Sequence, residues 1–174
     1  MKKSAVLSLF ALMTFVGYAA AQPMVVEIRA AEPSGPGAVL GTVTITATPY
    51  GTLFTPNLSG LTPGIHGFHV HEHPSCAPMD KDGKPVASLG AGGHYDPAKT
   101  GKHLGPYGDG HLGDLPPLYV DAQGKSTLPV LAPRLKIADI KGRSLMVHAG
   151  GDNFSDQPEP LGGGGARIGC GIAN

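Results

Sequence analysis

T-V-T-I-T-A-T, residues 42–48, alternates apolar and polar positions without a break: Val43, Ile45 and Ala47 share one parity and four threonines share the other. A period of two predicts a half-buried β-strand, one face in a core and one toward water. Working outward, Val26, Ile28 and Ala30 repeat the pattern against Glu27 and Arg29. Further strands are predicted at 118–120, 126–131, 142–148 and 167–172. The chain has 174 residues, of which 27 are glycine and 17 proline. Each such residue in a helix interior costs about 1 or about 3 kcal/mol relative to alanine, so a helical bundle is excluded and the framework must be all-β. A hydrophobic share of 41% argues for a packed core over a disordered chain.

The first 21 residues stand apart from that framework. Lys2 and Lys3 precede an apolar stretch at 5–17, broken only by Ser8 and Thr14, and Ala19-Ala20-Ala21 follow. This is the pattern of a secretory signal peptide, with cleavage expected before Gln22 and periplasmic export as the consequence. The stretch falls short of the roughly 20 apolar residues that span a bilayer. No cysteine follows the cleavage site to take a lipid, so no membrane anchor is expected. Residues 22–174 then form a single domain with 11 Lys and Arg against 13 Asp and Glu. Nothing in that balance suits nucleic acid as a partner. A chain of this size buries roughly 70% of its unfolded surface, enough for an ordinary core.

Export decides how Cys76 and Cys170 are read. In an oxidising compartment two cysteines are most simply a disulfide, whereas in the cytosol metal binding or catalysis would compete. Closing a loop of 94 residues would stabilise the fold by roughly 4.7 kcal/mol in the chain-entropy account, before any strain is subtracted.

Residues 64–73, G-I-H-G-F-H-V-H-E-H, read as one more strand. Its parity sends His69, His71 and His73 to one face and Phe68 and Val70 to the core, with His66 on the core side. His66 is therefore expected to be a hydrogen-bonded structural histidine. His73, next to Pro74, is expected in a solvated loop. From 74 to 117 the chain is rich in Gly, Pro and Asp, a loop too long for a compact domain unless something organises it. His94, His103, His111 and Asp114 punctuate that loop, and His148 ends a predicted strand. Imidazole and carboxylate together suit zinc or copper. Two closed four-ligand sites need eight donors, and His69, His71, His94, His103, His111, Asp114 and His148 number seven. Either one site is open or one ligand is shared, and an imidazole can be shared only as imidazolate, which two adjacent cations stabilise.

The stretches G-F-H-V-H-E (67–72), G-A-G-G-H-Y-D-P (90–97), G-H-L-G-D-L-P (110–116), V-H-A-G-G-D-N (147–153) and G-G-G-G-A-R-I-G-C-G (162–171) together resemble the copper-zinc superoxide dismutases, particularly the bacterial periplasmic kind. The resemblance runs from about residue 24 to the end. It implies a Greek-key β-sandwich or flattened barrel of about eight antiparallel strands with two long functional loops. It implies one copper and one zinc per subunit, superoxide as substrate, and a monomer or homodimer. It makes His69, His71, His94 and His148 the copper ligands and His94, His103, His111 and Asp114 the zinc ligands, so that His94 is the shared ring. Arg167 matches the arginine that attracts superoxide beside copper, and His94 the proton donor. Asp152 matches an aspartate joining a copper-ligand imidazole to a zinc-ligand one, here His69 and His103. The Cys76–Cys170 bridge also has a counterpart. The implied reaction is a two-step redox cycle that turns two superoxide ions into dioxygen and hydrogen peroxide.

Each role has a plainer rival. Asp152 could be only an Asx-turn residue after two glycines, and Arg167 could pair with a surface carboxylate. Asp80, Lys81, Asp82 and Lys84 read as a solvated turn. The 150–166 loop carries Asp152, Asp156 and Glu159 but no lysine, so steering of the anion falls to Arg167, with Lys81, Lys84, Lys99 or Lys102 as candidates. A zinc hydrolase would need three ligands and leave the second set without a use; a copper-scavenging module would need no Arg167.

Overall fold

In the computed structural model, which describes residues 22–174, the alternating stretches near the N-terminus become a meander of β1 (Met24–Glu32), β2 (Gly35–Thr48) and β3 (Gly51–Leu58). The expected signal peptide at 1–21 lies outside the described residues. Val43 sits opposite Val26 on one side and Pro56 on the other, so one parity of all three strands faces the core. Gly41, at φ +136°, marks a register shift between β1 and β2. A Cβ there would lie 2.0 Å from the carbonyl oxygen of Asn57, which only glycine avoids. Strand β3 lies where the sequence reading places none. Thr52, Phe54, Pro56 and Leu58 are its buried parity, and Pro56, which has no N–H for a ladder, hides the pattern.

The predicted strand at 64–73 is two strands, β4 (Gly64–His66) and β5 (Phe68–His71). The break is at Gly67, whose N–H donates to Gly150 O and whose carbonyl accepts from His148 N–H. The ladder ends at His71 because Glu72 and His73 turn their N–H groups to Gly93 and Ala91. Two short strands, β6 (Met79–Lys81) and β7 (Lys84–Val86), pair around the Asp82-Gly83 turn. They are followed by β8 (Leu118–Val120), β9 (Val130–Ala132), a single helical turn α1 (Ile137–Ile140), β10 (Arg143–His148) and β11 (Arg167–Ala173). The strand predicted at 126–131 begins only at Val130; Ser126 makes a lone bridge to Leu58.

Seven strands make one curled antiparallel sheet in the order β5-β10-β11-β1-β2-β3-β9, and β4 pairs with β8 separately. After β3 the chain crosses to the opposite edge of the sheet, in the Greek-key manner, and β11 returns to pair with β1. Phe54 of β3 meets Phe68 of β5 edge-on, with ring centroids 5.6 Å apart, so the two edges of the sheet close on one core. Val26, Ile28, Val43, Ile45, Val70, Leu115 and Leu118 fill it. Cys76 and Cys170 are bonded, with their Cα atoms 5.8 Å apart, and tie the loop after β5 to β11. Among the described residues no helix is long and apolar enough to cross a membrane.

Candidate metal centre

His69 and His71 leave β5 on one face, as their parity predicts, and β10 places Met146 opposite His69 and Ser144 opposite His71. His148 ends β10 beside them. An edge strand such as β5 would normally present its free backbone groups to water. Here the long loop covers it: Val70 N–H donates to Gly113 O, Tyr95 N–H to Val70 O and Gly113 N–H to Tyr95 O, each at 2.8 Å. The same strand-like contact sets His94 against His71 and Asp114 against His69. Gly113 is required there, because a Cβ would stand 2.2 Å from Val70 O.

Seven side chains thus converge, all of them buried: His69, His71, His94, His103, His111, Asp114 and His148. One group, His69, His71, His94 and His148, has donor atoms within 4.8 Å of one another. A second cluster surrounds Asp114, whose Oδ1 lies 3.0 Å from His94 Nδ1 and 3.4 Å from His111 Nδ1, and whose Oδ2 lies 3.0 Å from His103 Nδ1. Four donors around a tetrahedral zinc ion at about 2.0 Å stand about 3.3 Å apart, which these distances approach. Proximity alone would also put His69 in this cluster and omit His111. Asp114 separates the two, since His111 Nδ1 lies 3.4 Å from Asp114 Oδ1, a pairing that His69 does not make, and His69 turns Nε2 to Asp152 at 2.8 Å.

The orphaned atoms are informative. His69 Nδ1, His94 Nε2, His103 Nδ1, His111 Nδ1 and Asp114 Oδ2 are buried without a hydrogen-bond partner. Such groups are costly unless something else satisfies them, and here they belong to the two clusters. His71 Nε2 and His148 Nε2, 3.4 Å apart, face each other in the first. Four outward nitrogens are engaged: His71 Nδ1 with Gly92 O, His148 Nδ1 with Gly165 O, and His69 Nε2 and His103 Nε2 with the two oxygens of Asp152. Asp152 also accepts from Phe154 N–H, so the Asx turn and the bridge between the two clusters are one arrangement. Proximity puts both His69 and His94 in both groups, but of the two only His94 pairs with Asp114, through Nδ1 at 3.0 Å, and its Nε2 is left buried and unpartnered.

Burial sets the protonation of these groups. It drives His69 and His71 well below the ordinary imidazole range, helped by the neighbouring His94, and lowers His148 to about 4. Burial thus favours the neutral rings, the form in which an imidazole can bind a metal ion. Burial lowers His94 too, with Asp114 opposing it. At His103 burial also opposes charge, but Asp114 and Asp152 outweigh it and raise the ring to about 9. Burial would raise Asp114; its contacts with His103, His111 and His94 instead hold it far below the usual carboxylate range. The two carboxylates thus favour a positive charge at His103.

Arg167 is half-buried opposite His148 in the β10–β11 ladder. Its Nη1 donates to Ser88 O at 2.5 Å and its Nη2 to Gly92 O at 2.7 Å, and among the described residues it pairs with no carboxylate. The remaining N–H donors of its fork are free for an anion. His66 is buried between His148 O and Thr62 O at 2.7 and 2.8 Å, away from the cluster, and His73 is exposed beside Glu72. Lys81 and Lys84 lie on the β6–β7 hairpin and are exposed.

Sequence reasoning misses three supports. Gly92 O accepts from both His71 and Arg167; Ser88, at φ 51°, offers its carbonyl to Arg167; and Asp156 accepts from the N–H groups of His103 and Leu161, joining the two long loops. The first two act through backbone oxygens, which every residue possesses. Asp156 could have been suspected only as an acid in a turn.

Residues 39–173 match the family described as copper/zinc superoxide dismutase. The chain is 57% identical over 173 residues to the Cu-Zn superoxide dismutase of Brucella abortus, covering 99% of each chain. The solved Cu/Zn superoxide dismutase of Brucella abortus superposes with a TM-score of 0.87 at 60% identity, covering 88% of this chain and all of that one. The solution structure of the monomeric copper, zinc superoxide dismutase from Salmonella enterica gives 0.80 at 52% identity, over 88% of this chain and 100% of that one.

Proposed function

This chain belongs to the copper/zinc superoxide dismutase family, and from that membership we propose which of its residues carry out the family's reaction, the dismutation of superoxide to dioxygen and hydrogen peroxide. The protein is an oxidoreductase whose cofactors are copper and zinc. The four-histidine cluster, His69 Nδ1, His71 Nε2, His94 Nε2 and His148 Nε2, is the copper set. His94, His103 and His111 through Nδ1, with Asp114, are the zinc set. The orphaned nitrogens and oxygen support this division. The observation that carries it is His94, with one nitrogen in each cluster.

Bound copper supplies the one-electron chemistry that superoxide requires, and zinc a fixed charge that zinc alone could not turn into electron transfer. The residues do the rest. Arg167, held by two carbonyls, presents its free N–H groups to the incoming anion and fixes it beside the His71 and His148 rings. Two superoxide ions and two protons give one dioxygen and one hydrogen peroxide. One of the two protons could be carried by His94 Nε2 in the part of the cycle in which that atom is not a metal donor, taken up from solvent while the Nδ1 side holds the ring in place, and solvent would supply the other. Asp152 keeps His69 and His103 oriented through their Nε2 atoms.

Residues 1–21 are the export signal, residues 22–174 the mature domain, and the periplasm its compartment. The paired lysines, apolar stretch and Ala19-Ala20-Ala21 support that reading. Both donor sets and Arg167 come from one chain, so the centre is complete in a monomer and in a homodimer alike. The decisive experiment pairs metal content of the purified protein with superoxide consumption. Near-equal copper and zinc with rapid consumption is expected; activity on zinc alone, or copper without turnover, overturns the assignment. A His94→Ala variant is expected to lose zinc and loop order together.

A further inference from the structure

Arg134 lies outside both donor sets, and all its side-chain hydrogen bonds go to one loop. Nε donates to Pro106 O at 3.0 Å, Nη1 to Gly110 O at 3.3 Å, and Nη2 to Gly105 O at 3.3 Å and His111 O at 2.6 Å. Among the described residues it forms no salt bridge, so its charge is spent on carbonyl oxygens. Gly105, Pro106, Gly110 and His111 are buried, and carbonyls in buried segments need partners. A planar guanidinium is the one side chain that can reach four such acceptors from a single position.

The loop it gathers has a donor of the zinc set at each end, His103 before it and His111 within its grip, with ring centroids 6.1 Å apart. His111 N–H also donates to Lys102 O at 2.9 Å, closing the loop at its base. The stem that carries Arg134 is rigid. Ala132 pairs with Thr52 of β3, Thr52 Oγ1 donates to Leu135 O at 2.7 Å, and Gly51 packs so closely that a Cβ would stand 2.6 Å from Pro133 Cα. The zinc loop is thereby anchored to β3, whereas three of the four copper donors stand on β5 and β10 at the other end of the sheet order.

We propose that Arg134 is the positioning residue of the zinc site: it holds the 105–111 loop, and with it His103 and His111, in ligand geometry before the ion arrives. Zinc affinity depends on it and copper affinity does not. The proposal rests on the zinc assignment made above. Zinc binding is measured on mature protein by competition with a chromophoric chelator, and copper binding in parallel, for wild type, Arg134→Gln and Arg134→Lys. Loss of the fork is expected to weaken zinc about 10- to 100-fold, as for other groups that orient ligands, while copper stays within about threefold. Lysine, with three donors on a point charge, falls between. Zinc affinity within about threefold of wild type in both variants overturns the proposal. So does parallel loss of both metals with a matching fall in metal-free melting temperature, which is what a merely structural arginine predicts. Should the glutamine variant not fold, the lysine variant decides by the same zinc-to-copper contrast. A wild-type protein that takes up no zinc removes the zinc assignment and this inference with it, a result distinct from failure of the variants alone.

Discussion

At Arg167 a charge is held in place without being neutralised. Ser88 O and Gly92 O accept two of its donors, and among the described residues no carboxylate competes for the rest. Replacing Arg167 with alanine should therefore leave copper and zinc content unchanged, cut the rate by about tenfold or more and flatten its dependence on ionic strength. Kinetics matching wild type across a salt series would remove the role. The histidines make a second, opposite pair of claims about pH. The lowered value of His148, about 4, means that the unfolded chain takes up a proton between roughly pH 6.5 and 4 that the fold resists, so stability is lost as pH falls through that window. His103 is raised to about 9, so its contribution is present below about 6.5 and lost as pH rises toward 9. Metal-free protein should then melt highest near pH 6.5. Zinc, which must displace the His103 proton, should remove the alkaline limb. Thermal melts in chelator and in zinc across this range test both limbs.

Strands β5 and β10 are a rigid platform, and the long loop is laid on β5 as though it were a further strand. That join depends on Gly113, where no Cβ fits against Val70 O. Gly113→Ala should loosen it at a cost of about 1–3 kcal/mol, with faster amide exchange at Val70, Tyr95 and Gly113 and weaker zinc binding. Gly93→Ala is the contrast, since its Cβ would meet only Glu72 Oε2 at 3.8 Å. Equal exchange in the two variants would show that the join is not where the loop is held. The elements also show where local pattern misleads. A continuous alternation through 64–73 conceals the break at Gly67, and Pro56 conceals β3, because both depend on which distant backbone groups are at hand.

For the molecule as a whole, the disulfide is connected through Ser88 to the side chain of Arg167. Cys76 is tied to β11 through Cys170, Ser88 Oγ donates to Cys76 O at 3.3 Å, and Ser88 O in turn holds Arg167. Replacing both cysteines by serine should lower stability by up to roughly 4.7 kcal/mol. It should also reduce the rate at saturating copper and zinc, as Arg167 loses one of its two carbonyl anchors. Denaturant melts together with kinetics on the metal-loaded variant check this; a fall in stability with unchanged kinetics would separate the bridge from the anion site.

Much of this was legible in residues alone. The one-faced placement of His69 and His71, the seven donors that leave either an open site or a shared ligand, and the cysteine pair follow from period-two geometry and from side-chain chemistry, which are local properties. What folding alone decided is how the donors are held: Asp152 between two rings, Gly92 O shared by His71 and Arg167, and Arg134 on four carbonyls. Backbone oxygens occur at every position and leave no mark in composition, so only the path of the chain through space determines which of them a distant side chain will meet.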